Sequence, residues 1–216
     1  MEPIIYLVCH AEAEHNVTTD FSQRDPPLTL AGFQQASSLV DTFPEPSSIA
    51  IVLTSPLKRA LATTIAGFSH ILALDVVGNS REIRSAKLII DRDLQESSDL
   101  PCDTGSERAV LEKLFPNVDF SMLGEHWFAK TSMYAADEDS VVLRASTFRE
   151  KLWNIAESVR ADQPSFSSQR AIVVVTHSAF MQYLSQDVDI NLPKAGWQSF
   201  RIHKKQPNGE VVLSSI

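Results

Sequence analysis

The chain has 216 residues, 44% hydrophobic and 21% charged, the balance of a soluble globular protein long enough to bury a sizeable core. A formal net charge of −8 argues against a general nucleic-acid or anionic-membrane surface, while leaving room for a local basic pocket. Two cysteines, Cys9 and Cys102, give no disulfide scaffold; no leader-like segment or membrane-length apolar run is visible, so a cytoplasmic protein is the default expectation.

Ile4 to Val8 is a short apolar run after Pro3 and reads as a central strand, which delivers Cys9 and then His10 at its end. Asp25-Pro26-Pro27-Leu28 reads as a loop. Thr29 then caps a helix through about Val40, closed by Pro44 and Pro46. Ser48 to Thr54 is a second buried strand. Ser55-Pro56 reads as a cap with proline at the first helical position, followed by an apolar stripe of Leu57, Leu61, Ile65, Phe68 and Leu72. Lys87 to Asp91 is a third strand, and Asp103-Thr104-Gly105-Ser106 leads into a helix over about Glu107 to Leu114. The stretch from Phe115 to Asp139, with Met122, Trp127, Phe128 and Met133, lacks a regular period and reads as an insertion or lid.

A long helix follows from about Ser140 to Arg160, with Val141, Ala145, Phe148, Leu152, Ile155 and Val159 on one face. Ser165 to Gln169 reads as a linker. Ala171 to Val175 is the strongest strand signal, β-branched after its first residue, and ends at Thr176-His177-Ser178. A helix over Ala179 to Gln186 comes next. Two strands, near Ser199 to His203 and Glu210 to Ser214, close the chain around a turn at Asn208-Gly209.

Strands alternating with helices predict an α/β fold: one domain over residues 1–216, a three-layer α/β/α sandwich with a mostly parallel central sheet, plus an insertion or lid at about 99–139. Ligands in such sheets bind outside the carboxyl ends of strands. His10 and His177 both directly follow strand-like runs, which predicts one shared site. No spacing of histidines and carboxylates suggests a metal site, and no cofactor is expected. The expected partner is a small-molecule substrate, with no nucleic acid or membrane; oligomeric state is not legible.

Four segments in order resemble the histidine phosphatase (phosphoglycerate mutase-like) superfamily: Leu7-Val8-Cys9-His10-Ala11-Glu12, Thr54-Ser55-Pro56-Leu57-Lys58-Arg59-Ala60, Asp93-Leu94-Gln95-Glu96 and Val175-Thr176-His177-Ser178. Pro27 to Ala36 is similar to the family's first helix, and Glu14-His15-Asn16 and Cys102-Asp103-Thr104-Gly105 resemble its fungal-type branch. The resemblance implies a hydrolase that acts on a small-molecule phosphomonoester through a phosphohistidine at His10. It also implies that His177 donates to a phosphoryl oxygen, and that Arg59 and Asn16 bind the phosphoryl group. Glu96 would protonate the leaving oxygen and later activate water. Ser22 is a further candidate near the phosphate. His15 reads as a polar residue of the pocket rim. These residue types suit the reaction, because protein catalysis of phosphoryl transfer is mostly positioning plus stabilisation of charge on oxygen.

The chain departs from the family pattern in three places. Cys9 stands where the family has an arginine, Ala11 where it usually has glycine, and Ser178 where it usually has glycine after the second histidine. Cys9 replaces a five-donor cation with a weak donor, expected as the thiol. Ser178 can donate to a ligand or crowd it. Three outcomes remain open at this stage. Another cation compensates, with Arg24, Lys58, Arg84 and Arg108 as candidates; the site has lost phosphatase activity and kept binding; or it performs different acid–base chemistry on an unphosphorylated metabolite. A mutase role is disfavoured, since a mutase must hold its substrate in two orientations and protect the phosphoenzyme from water.

Overall fold

A computed structural model describes residues 2–72, 85–161, 170–207 and 209–216. In chain order the elements are strand β1 (Ile4–Cys9), helices α1 (Glu14–Thr18) and α2 (Leu30–Thr42), strand β2 (Ile49–Thr54), helix α3 (Lys58–Phe68) and strand β3 (Lys87–Ile90). Helices α4 (Arg108–Leu114) and α5 (Glu138–Ala161), strand β4 (Ala171–Thr176), helix α6 (Ser178–Ser185) and strands β5 (Trp197–Lys204) and β6 (Val211–Ser215) follow. The strands form one six-stranded sheet in the order β3-β2-β4-β1-β5-β6. Strands β3, β2, β4 and β1 run parallel, and β5 pairs antiparallel with both β1 and β6.

Alternation along β1 builds the layers. Ile5, Leu7 and Cys9 face one core with Phe148 and Leu152 of α5 and Phe180 and Leu184 of α6. Tyr6 and Val8 face the other, with Ala36 and Leu39 of α2 and Ala60 and Phe68 of α3. The central strands are covered on both faces, which is why they read as unbroken apolar runs rather than alternating ones. A third apolar cluster joins Leu57 and Leu61 of the α3 segment to Leu111, Phe120, Leu123 and Trp127. The irregular stretch after α4 thus has a core of its own, anchored on the start of α3.

The largest departure from the sequence reading is at α3. The helix begins at Lys58, and Ser55 does not cap it. Ser55 Oγ instead accepts from the Leu57 N–H at 3.3 Å and lies 2.9 Å from His177 Nε2. Leu72 falls outside the helix, in a lone bridge to Ala86. On α5 the buried face takes in Ala156, while Ile155 packs at its margin. The linker at Ser165 to Gln169 and Asn208 of the last turn lie outside the described residues; Gly209 has a φ of 72°, which suits glycine. Among the described residues, no helix is long and apolar enough to cross a membrane.

Candidate functional site

Sheet register places the two strand-end histidines side by side. Cys9 pairs with Thr176 across β1 and β4, and the His10 N–H donates to the Thr176 carbonyl at 3.0 Å. The imidazole rings lie 5.1 Å apart between centroids, and both residues are buried. Ser55 leaves β2 in the same row, its N–H on the Val175 carbonyl at 3.0 Å.

His10 Nδ1 lies 2.7 Å from the Ala11 carbonyl, which can only accept, so Nδ1 carries the proton and Nε2 the lone pair. Arg59 donates its Nε–H to that lone pair at 3.3 Å. Burial first, and then the Arg59 charge, hold the His10 pKa well below the usual histidine value. His177 is shifted in the same direction for the same leading reasons. His177 Nε2 lies 2.9 Å from Ser55 Oγ, which partners one ring nitrogen and leaves Nδ1 as the other. That Nδ1 is buried with no protein partner.

Arg59 is 1% exposed, and three of its five N–H donors have partners. Beyond its contact with His10, it donates to the Cys102 carbonyl at 2.8 Å and to Asp103 Oδ1 at 2.7 Å. Ser98 Oγ donates to the other Asp103 oxygen at 2.5 Å.

Glu96 lies at the N-terminus of α6. Its Oε1 accepts from the N–H groups of Ser97 at 2.8 Å and Phe180 at 2.9 Å, and Oε2 lies 3.4 Å from the Ala179 N–H. The positive end of the helix favours a carboxylate there. The loop that carries Glu96 is pinned from α5: buried Arg144 donates to the carbonyls of Asp93, Gln95 and Glu96, at 3.0, 2.6 and 3.2 Å. Lys151 bridges the carboxylates of Asp91 and Asp93. Lys130 donates to the Glu96 carbonyl at 3.0 Å, and burial brings its ammonium down to about 8.

A cavity of about 300 Å³ opens at this strand edge. His10, Arg59, Glu96, Asn16 and Ser178 line it. His177, its ring 5.1 Å from that of His10, is not among the lining residues. Asn16 is occupied locally: its Oδ1 accepts from the Ala13 N–H at 3.0 Å and its Nδ2 lies 3.1 Å from His15 Nε2. Cys9 is not on the wall either. It is fully buried in the α5–α6 core, with Sγ 3.3 Å from Ser178 Oγ, and burial raises its thiol pKa. Ser22 is exposed and donates to Asp20, away from the cavity.

His15, expected at the pocket rim, is buried and reaches the cavity wall, its ring 6.2 Å from that of His10, with burial lowering its pKa to about 4. Other lining residues were not assigned from sequence. Phe21 and Leu100 add an apolar rim, and Asp103 and Lys194 contribute charge. Of the cations considered from sequence, Arg24 is spent on the Gly105 carbonyl at 2.6 and 2.9 Å and Arg108 on Glu112 at 2.7 Å. Lys58 does not line the cavity, and Arg84 lies outside the described residues. A larger recess of about 590 Å³, among Glu107, Glu112, Glu125, His126 and Phe128, holds none of the strand-end groups. Among the described residues, no three His, Cys, Asp or Glu side chains are grouped to hold a metal ion.

Residues 5–98 match the profile of the histidine phosphatase superfamily (branch 1). A probable phosphatase of Schizosaccharomyces pombe is 30% identical over 166 residues, covering 74% of this chain and 73% of its own. Phosphoglycerate mutase-like protein 1 of Arabidopsis thaliana is 27% identical over 208 residues, covering 82% of this chain and 68% of its own. Among solved structures, a mycobacterial glucosyl-3-phosphoglycerate phosphatase complexed with VO3 shares the fold with a TM-score of 0.61, at 16% identity over 99% of this chain and 97% of that one.

Proposed function

The chain belongs to the histidine phosphatase superfamily, and on that premise we propose that it hydrolyses a small-molecule phosphomonoester through a phosphohistidine formed at His10. One observation carries the reading: a buried imidazole with its proton held on the Ala11 carbonyl and its Nε2 lone pair beside the Arg59 guanidinium. Low basicity keeps that ring neutral, and a neutral imidazole is the form that attacks phosphorus. Nε2 bonds to phosphorus as the ester P–O bond breaks, and Glu96 supplies the proton that the leaving oxygen needs. Arg59, on the cavity wall, stabilises charge on the transferring oxygens, and His177, its ring 5.1 Å from that of His10, positions the nucleophile. Water then attacks the phosphohistidine, Glu96 takes its proton, and inorganic phosphate leaves with His10 restored. The phosphatase-named relative supports the hydrolytic outcome.

Hydrolysis of an aryl phosphate by the wild type and by His10→Ala tests this. The expected result is turnover in the wild type and a loss of more than about a thousandfold in the variant, the scale seen when a nucleophile is removed. Quenching in alkaline denaturant during turnover should also trap a phosphoryl group on the wild type alone, one that later exposure to acid releases. Equal turnover by the two proteins would sink the proposal.

A further inference from the structure

The anion site is short of positive charge. Position 9 carries a buried thiol rather than a cation. The Arg59 guanidinium is already matched by Asp103, so together they contribute no net charge to an incoming phosphoryl group. A dianionic ester needs a further cation, and Arg24, Lys58 and Arg108 do not line the cavity.

One lysine does. Lys194 lies on the cavity wall and makes no ion pair among the described residues. It sits in the turn that feeds β5, the strand that borders β1 on the side away from β4. That turn is fastened to the nucleophile's own backbone. The Ala195 N–H donates to the His10 carbonyl at 3.3 Å, and the Cys9 N–H donates to the Gly196 carbonyl at 2.9 Å. Ala195 takes a left-handed φ of 56°, and the Gly196 N–H closes the turn on the Pro193 carbonyl at 2.8 Å. The lysine is therefore positioned by the same two residues that end β1. Its charge reaches the site: it adds to the burial and the Arg59 charge that lower His10, His15 and His177, and opposes the burial that raises Cys9.

We propose that Lys194 binds the non-bridging oxygens of the phosphoryl group, supplying from the β5 turn the positive charge that position 9 lacks. This rests on the phosphatase reading of the same cavity. A lysine acts as a point charge on a flexible stem, so it can follow the phosphoryl group as it moves from ester to phosphohistidine.

The test is the affinity for inorganic phosphate, measured by calorimetry on the full chain as wild type, Lys194→Met and Lys194→Arg. Unfolding midpoints without phosphate check that each variant is folded. The expected result is an affinity loss of about ten- to a hundredfold in Lys194→Met, the scale of one hydrogen bond to a charged group, with most of it restored in Lys194→Arg. Phosphate binding unchanged in Lys194→Met overturns the proposal, even if turnover falls. So does a wild type that binds no phosphate. A wild type that binds phosphate but hydrolyses no ester removes the phosphatase reading, while the Lys194→Met comparison still decides whether Lys194 holds the anion.

Discussion

At the scale of single residues, the pairing of Arg59 with Asp103 sets how the site meets its ligand. Both are buried, and the guanidinium makes three contacts, to His10, Cys102 and Asp103. Breaking a buried ion pair from one side leaves a charge without a partner, which typically costs about 3–5 kcal/mol. We therefore expect Asp103→Asn, which keeps the shape but not the charge, to lose stability on that scale. Phosphate should restore more stability to this variant than it adds to the wild type, because an anion would answer the stranded guanidinium. Urea unfolding with and without phosphate reads both effects; identical phosphate increments in the two proteins would show that Asp103 does not compete with the ligand for Arg59. This pairing was not legible in the sequence. His10 and His177 announce themselves by following apolar strands, but Asp103 reaches Arg59 only because a loop 44 residues further on closes over it. The displacement of Cys9 from the wall has a similar origin. Its place on a doubly buried strand directs the side chain to the α5–α6 core, and so short a side chain cannot reach past Ser178.

At the scale of elements, the start of α2 is stitched to the segment that follows His10. Thr29 caps the Gly32 N–H at 2.9 Å, gives its hydroxyl to Glu12 Oε1 at 2.6 Å and its N–H to the Glu12 carbonyl at 3.0 Å. Gly32 is what permits the close approach: a Cβ there would fall 2.0 Å from the Glu12 carbonyl oxygen and 2.9 Å from its carbon. Both are backbone atoms with no rotamer to escape into. Gly32→Ala is expected to destabilise the fold by about 1–3 kcal/mol or more. It should also lower turnover, since it pushes on the segment that holds the Ala11 carbonyl against His10 Nδ1. Gly124→Ala, where an added Cβ meets nothing within 4 Å, is the control that should change neither. If the Gly32 variant were stable but slow, the effect would be confined to His10 alignment. The cap at Thr29 was readable because a threonine before an apolar period has one common use. Ser55 misled for the same reason: Ser-Pro before a helix suggests a cap, but its hydroxyl is claimed by His177, a partner more than a hundred residues away. Lys194 was invisible for a third reason, since the sequence shows only a basic residue in a turn, and the site gains it through the antiparallel pairing of β5 with β1.

At the scale of the whole molecule, alternating strands and helices made the layered α/β fold legible, and the rule that sites form at the carboxyl ends of parallel strands located the cavity. What the alternation could not give was strand order, which decides that β1 and β4 are neighbours and that their histidines touch. That adjacency has a consequence for stability against acid. Burial lowers the pKa of His10 and His177 well below the usual histidine value and that of His15 to about 4. Each therefore binds fewer protons in the folded chain than in the unfolded one, where titration centres near about 6.5. Stability from these groups is complete above about 6.5 and is lost as the pH falls toward the folded values, by up to about 1.4 kcal/mol per pH unit for each histidine. Asp25 and Asp91, raised by burial, act in the opposite sense, so the histidine effect is read over the interval from about pH 7 to about pH 5, just around and below the unfolded histidine value. A chain of net charge −8 supplies a rival expectation, because acid relieves its self-repulsion and on that ground alone would stabilise it over the same interval. Urea denaturation across the interval separates the two. We expect unfolding free energy to fall with acid in the wild type and to fall less steeply in His15→Gln, which removes one of the buried imidazoles. A wild type that gained stability on acidification would mean that global charge outweighs the histidines, and that the rings beside Arg59 meet far more water than their burial implies.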